Sequence, residues 1–242
     1  MTESAVRNCS GDWPDSSRSL LEQALSSAET AARLEARNRL SRYRPYPKQK
    51  EFHDAGALHN ERLLMAGNQL GKTLSGSMEM AMHLTGRYPD WWAGKRFAQA
   101  GRYWVAGETR LSTRDTVQKM LVGEPAREEA WGTGAIPGDA ILKTFRATSV
   151  ANALDAVSVA HVAGGASTLL FKSYEQGRAK WQGDTLNAVW FDEEPPIDIY
   201  MEGLTRTIAT GGMVMMTFTP LKGMSEVVRL FLEDIPPIPA CK

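Results

Sequence analysis

"LLMAGNQLGKTLSGSMEMAMHLTG", residues 63–86, places a strand-like apolar run, a small polar loop and a helix-like apolar run in succession. The loop approaches GxxxxGK(S/T), in which small residues let backbone N–H groups converge on an anion at the N-terminus of the next helix. Gly71, Lys72 and Thr73 complete that pattern; Ala66 stands where its first glycine belongs, followed by Gly67, Asn68, Gln69 and Leu70. Alanine is the least costly replacement there if its φ stays negative, and Gly67 beside it keeps conformational freedom. In a true phosphate loop Lys72 reaches the β- and γ-phosphates and the Thr73 hydroxyl ligates Mg²⁺. A glycine-rich turn without a ligand has the same composition, so a second motif must decide.

"LNAVWFDEEPP", residues 186–196, reads as a buried strand that ends in acids, with Asp192 and Glu193 at the carboxyl edge where ligands of parallel sheets bind. One carboxylate can hold the Mg²⁺ shell and the next can polarise an attacking water; taken alone, the segment also suits a solvated acidic turn. Following a phosphate loop, the pair favours nucleotide hydrolysis. A third run, "MVMMTFTPLKGMS" (213–225), is a strand stopped by Pro220 that delivers Thr217 and Thr219 to one face. Two hydroxyls at that edge suit a sensor of the terminal phosphate, although threonine alternation also occurs in plain strands.

Around these motifs, short apolar runs alternate with helical spacing, which predicts an α/β fold with a mostly parallel sheet. Strands are expected at 62–66, 103–107, 141–145, 157–162, 168–171, 188–191 and 213–218, and helices at 72–85, 112–121, 199–209 and 225–232. The strands between 141 and 171 are too close for crossover helices and fit hairpin pairing at one sheet edge. Upstream, 17–40 has the leucine and alanine spacing of an amphipathic helix, and "RYRPYPKQKEF" (42–52) breaks at its prolines before a second short helix. The chain thus divides into an N-terminal helical segment (1–41), an ATPase-like domain (42–234) and a disordered tail (235–242).

Composition agrees with a globular protein: 43% of the 242 residues are hydrophobic and 23% charged, with 28 basic against 28 acidic side chains. A zero formal charge means that any nucleic-acid contact comes from a local basic stripe or a partner. No apolar run of about 20 residues and no signal peptide is seen, so the expected location is cytoplasmic, without membrane contact. Cys9 and Cys241 lie at opposite ends of the chain and are read as incidental. The tryptophans and basic residues of "RYPDWWAGKRF" (87–97) fit either core packing or a grip on DNA, and "YEQGRAKWQGD" (174–184) either a connecting loop or a contact to phosphate or DNA. Met78, Met80 and Met82 alternate on a helix, where such positions do not share a face, and the four histidines have no metal-ligand spacing.

"GNQLGKT", "YEQGRAKWQGDTLNAVWFDEEPP" and "TFTPLKG", in that order, resemble the ATPase domain of the large terminase subunit of tailed bacteriophages, from about Arg44 to Phe231. That resemblance implies a RecA-like P-loop NTPase with an additional strand and a catalytic glutamate, using ATP and Mg²⁺. It makes residues 66–73 the Walker A loop, Lys72 its phosphate-gripping lysine, Thr73 and Asp192 the metal-linked pair, Glu193 the catalytic base, and Thr217, Thr219 and Pro220 the coupling motif. Tyr46, Pro47 and Gln49 resemble the segment that reads adenine, although Gln49 also suits a solvated linker. Implied partners are double-stranded DNA, a portal, a small terminase subunit and further copies of this chain in a ring. Two departures stand out. Asn68 occupies a place where many terminases have arginine, so a charge-stabilising arginine comes from elsewhere, with Arg102, Arg110 and Arg114 as candidates or a neighbouring subunit as the source. Complete large terminases also continue into an RNase H-like nuclease domain, so no cleavage is expected from this chain. A remnant that binds nucleotide without productive packaging and a helicase-like ATPase are the competing readings.

Overall fold

The computed structural model describes residues 15–220 and 225–232; Cys9, Cys241 and the proposed tail lie outside them. Residues up to Ala36 form one compact unit, whose described part is helix α1 (Asp15–Ala36), and Arg37 onward form another. In the second unit one seven-stranded sheet contains β1 (Glu61–Met65), β2 (Arg102–Gly107), β3 (Ile141–Arg146), β4 (Leu154–Ala160), β5 (Ala166–Ser173), β6 (Ala188–Asp192) and β7 (Met213–Phe218). Their spatial order is β1-β7-β6-β2-β5-β4-β3. From β1 to β5 in that order neighbours are parallel, while β4 is antiparallel to both β5 and β3.

Every residue of β6 and β7 is buried, as their unbroken apolar composition requires for central strands covered on both faces. The period of two then sorts side chains between the faces. Trp190, Met213 and Met215 enter a core with helix α3 (Lys72–Thr85), whereas Phe191, Val214 and Met216 enter one with α6 (Ile197–Ile208) and α7 (Glu226–Leu232). Both helices approach through a glycine: Gly76 of α3 meets the Trp190 indole and Gly203 of α6 meets the Phe191 ring. Met78, Met80 and Met82 are all buried because almost the whole of α3 is covered, beyond what one helix face could do.

Several limits differ from the spacing: β5 runs over 166–173 in place of the expected 168–171, α6 starts at 197 in place of 199, and two further shifts have a visible cause. The helix expected at 112–121 begins at Arg110, behind a Thr109 cap that accepts from Ser112 N at 3.0 Å, and runs as α4 (Arg110–Thr113), a π-helical turn (Arg114–Gln118) and α5 (Lys119–Leu121). β4 starts at Leu154 because Gln118 Oε1 accepts from its N–H at 2.8 Å, and it ends at Ala160 ahead of a turn with positive φ at Gly164 and Gly165. Trp92 is buried against the His53 and His83 rings, so the aromatic pair at 91–92 serves packing, while Arg96 stacks on Tyr88. No helix among the described residues is long and apolar enough to cross a membrane.

Candidate phosphate-loop and acid-strand site

Because β1, β7, β6 and β2 run parallel, their carboxyl ends share one edge, and the three motifs meet there. Thr73 Oγ1 at the start of α3 donates to Asp192 Oδ1 at 3.1 Å, and Thr217 Oγ1 donates to the same oxygen at 2.8 Å. Trp190 Nε1 in turn donates to Thr217 Oγ1 at 2.8 Å, which fixes the hydroxyl's orientation. Asp192 is 5% exposed. Burial lifts its carboxyl to a pKa of about 6, the Thr217 and Thr73 hydrogen bonds and Lys72 pull the other way, and the Glu193 charge adds to the rise. Such a carboxylate is poorly compensated by protein alone and favours a cation beside it.

The loop is wound by left-handed residues at Gln69 (φ 60) and Gly71 (φ 77), while Ala66 has no positive φ. The replaced glycine therefore carries no conformational penalty. Lys72, 8% exposed, donates from Nζ to Gly67 O at 2.7 Å. Asn68, Gln69 and Leu70 are exposed at the loop tip.

Gln49 lies beneath the loop on α2 (Pro47–Ala55), buried. Its Nε2 donates to Gly71 O at 2.9 Å and its Oε1 accepts from Tyr46 N at 2.9 Å, so the amide buttresses the loop backbone and is not a solvated linker residue. A Cβ on Gly71 would meet that Nε2 at 2.7 Å, a second reason for glycine there. Tyr46 is exposed at the rim of a cleft of about 800 Å³ whose wall includes Ala66, Leu70 and Lys72.

Glu193 leaves the strand in a left-handed conformation (φ 64), with its N–H donating to Thr217 O at 2.8 Å and its side chain exposed. Thr219 N points to Glu193 Oε2 at 3.4 Å, and Thr219 Oγ1 donates to Asn68 Oδ1 at 3.1 Å, linking the end of β7 to the loop. Pro220 follows, exposed. Arg102 sits at the opposite strand end paired with Asp184, Arg110 pairs with Asp155, and Arg114 binds Asp115 and Ala151 O, so the structure brings none of these candidates to Asp192. Arg178 pairs with Glu202 and Trp181 is buried, which makes 174–184 a packed connection.

Geometry adds residues that the sequence motifs did not single out. Tyr174 donates to Glu193 O at 2.8 Å and lies 3.0 Å from Asp192 O; burial, then the Asp192 and Glu193 charges, push its hydroxyl pKa well up, so it stays a donor. Under α3, buried Glu79 joins Arg62, His53 and His83. Burial would raise the Glu79 pKa, but the Arg62 guanidinium and the two histidine hydrogen bonds hold it well below the usual range. A lone glutamate among methionines carries no sequence signal for such a role.

A loop between β1 and α3, an acid pair ending β6 and a further strand between the two define this protein as a P-loop NTPase by fold. The family model "Terminase large subunit, T4likevirus-type, N-terminal" matches residues 63–240, and the chain belongs to that family. It is 45% identical over 212 residues to the large terminase subunit of Salmonella phage P22, covering 81% of this chain and 42% of that protein. It is 30% identical over 212 residues to the large terminase subunit of Enterobacteria phage LP7, covering 81% and 44%. Among solved structures, the large terminase of a thermophilic bacteriophage in complex with ADP superposes over 72% of this chain and 38% of its own, with a TM-score of 0.45 at 16% identity. The chain thus spans less than half the length of the curated relatives it matches.

Proposed function

We propose that this chain is the ATP-hydrolysing part of a phage large terminase, turning over ATP with Mg²⁺ to drive viral double-stranded DNA into a prohead in the bacterial cytoplasm. In that role it works with a portal and a small terminase subunit, as a ring of copies. The observation that carries the reading is the convergence of Thr73 and Thr217 on one buried oxygen of Asp192, from three separate segments of sequence.

The donor set suits the group. Thr73 and Asp192 offer hard oxygens 3.1 Å apart, and Mg²⁺ in nucleotide sites takes few protein ligands, filling its octahedron from phosphate and water. Held by Thr73 and Asp192, Mg²⁺ would supply neutralisation of the phosphate charge. Lys72 and the loop amides grip the phosphates, Glu193 orients and deprotonates the attacking water, and the 800 Å³ cleft beside Tyr46 receives the base. Thr219, bonded to Asn68, and Pro220 carry the change at the phosphates out along the chain.

ATP hydrolysis measured with and without duplex DNA tests this, using Lys72→Ala and Glu193→Ala. Both should lose turnover, with nucleotide still bound by the Glu193 variant; activity indifferent to both changes rejects the site.

A further inference from the structure

We infer that Tyr174 is the positioning residue that holds the Asp192–Glu193 turn and thereby aims the Glu193 carboxylate. The inference rests on the hydrolytic reading of that glutamate, but its physical basis is separate from it.

In an extended strand successive carbonyls point to opposite sides. Here the carbonyls of Asp192 and Glu193 both lie within reach of one hydroxyl, at 3.0 and 2.8 Å, because the chain leaves β6 through the left-handed Glu193. A single O–H proton serves one of them at a time or is shared, so the hydroxyl binds the turn as a unit. A side chain larger than glycine resists positive φ, and such a conformation persists only where its surroundings hold it.

Tyr174 is suited to that task by its place in the fold. It follows β5, which is separated from β6 by β2, a gap of two strand spacings or roughly 9.5 Å that a long side chain can cross. On the way the hydroxyl lies 3.5 Å from Ala106 O of β2. The base of the side chain is fixed by Ser173 N donating to Gln176 Oε1 at 3.0 Å and Glu175 N donating to Glu108 O at 3.2 Å. The ring is clamped by Trp181 and Phe191, with centroids 6.4 and 6.1 Å away. Phenylalanine would keep all of this packing and lose only the hydroxyl's contacts, the two short ones to the turn carbonyls and the longer one to Ala106 O.

The test compares wild type, Tyr174→Phe, Glu193→Gln and the double variant. Tyr174→Phe should lower kcat about tenfold or more, since small misplacements of a reacting group have effects of that size, while Mg-ATP affinity and Tm stay close to wild type. On the Glu193→Gln background the same change should cost nothing further. A kcat within twofold of wild type overturns the inference, as does an equal loss on both backgrounds, which marks a general structural role. Hydrogen exchange of peptide 188–196 reads the turn without turnover: faster exchange confined to that peptide in Tyr174→Phe is expected, and an unchanged pattern overturns the inference even if the wild type hydrolyses no ATP. Failure of Glu193→Gln to reduce hydrolysis would instead strike the reading of the site.

Discussion

A Cβ on Gly76 would lie 2.4 Å from Cε2 of Trp190, so α3 and β6 touch through bare backbone at the point where the indole also donates to Thr217. Two effects compete in Gly76→Ala. Alanine gains roughly 1 kcal/mol of helix propensity, whereas overpacking a buried, hydrogen-bonded indole costs about 1–3 kcal/mol. Packing should win, lowering the urea midpoint and, through displaced Thr217, the rate of ATP hydrolysis. A more stable alanine variant would show that the helix can shift freely.

Asp192→Asn should stabilise the protein while abolishing hydrolysis. Its folded-state pKa of about 6 lies above the ordinary 3.8, so its contribution to stability is complete below pH 3.8 and is lost as pH rises through 6. Asparagine keeps an Oδ1 to accept from Thr73 and Thr217 without the buried charge. At pH 8 the variant should be more stable by roughly 3 kcal/mol, with the difference vanishing near pH 3.5; urea midpoints at the two pH values decide it.

Acid should weaken the polar cluster under α3 in two stages. Burial holds the His83 pKa below 6.5, against the pull of Glu79, so the unfolded chain takes up a proton first and stability falls as pH drops below 6.5. Glu79, held below 4.5, contributes stability above that value that disappears on further acidification. His83→Gln should therefore lose less stability than wild type between pH 7.5 and 5.5. Glu79→Gln, which strands Arg62, should cost about 3–5 kcal/mol at neutral pH, with the gap to wild type closing below pH 4.5. A constant gap would mean that Glu79 has the same pKa folded and unfolded.

Restoring glycine at position 66 should bring no gain. Ala66 has no positive φ, so Ala66→Gly only loosens the unfolded chain, at about 0.5–1 kcal/mol of stability. Hydrolysis should stay within twofold of wild type, and a marked acceleration would show that the loop needs glycine's freedom during turnover.

Much of the sheet was legible because its central strands are covered on both faces and so read as unbroken apolar runs; β7 matches its sequence limits of 213–218, and α3 its limits of 72–85. Three motifs in order were enough to foresee that Thr73, Asp192 and Thr217 would meet. Contacts between distant side chains were not legible. Gln49 looks the same in sequence whether its amide faces water or Gly71 O, and Glu79 becomes an ion-cluster centre only because β1 places Arg62 beside it. The π-helical turn at 114–118 also left no trace, since it uses the same residue types as an α-helix.

The register Asp192↔Thr217 between β6 and β7 sets a rule about length as opposed to composition. Sliding β7 by a single residue would swap the hydroxyl for Met216 or Phe218, both of which belong to the opposite core. That strand should therefore accept many changes of letter among apolar residues and almost no insertion or deletion between Met213 and Thr217.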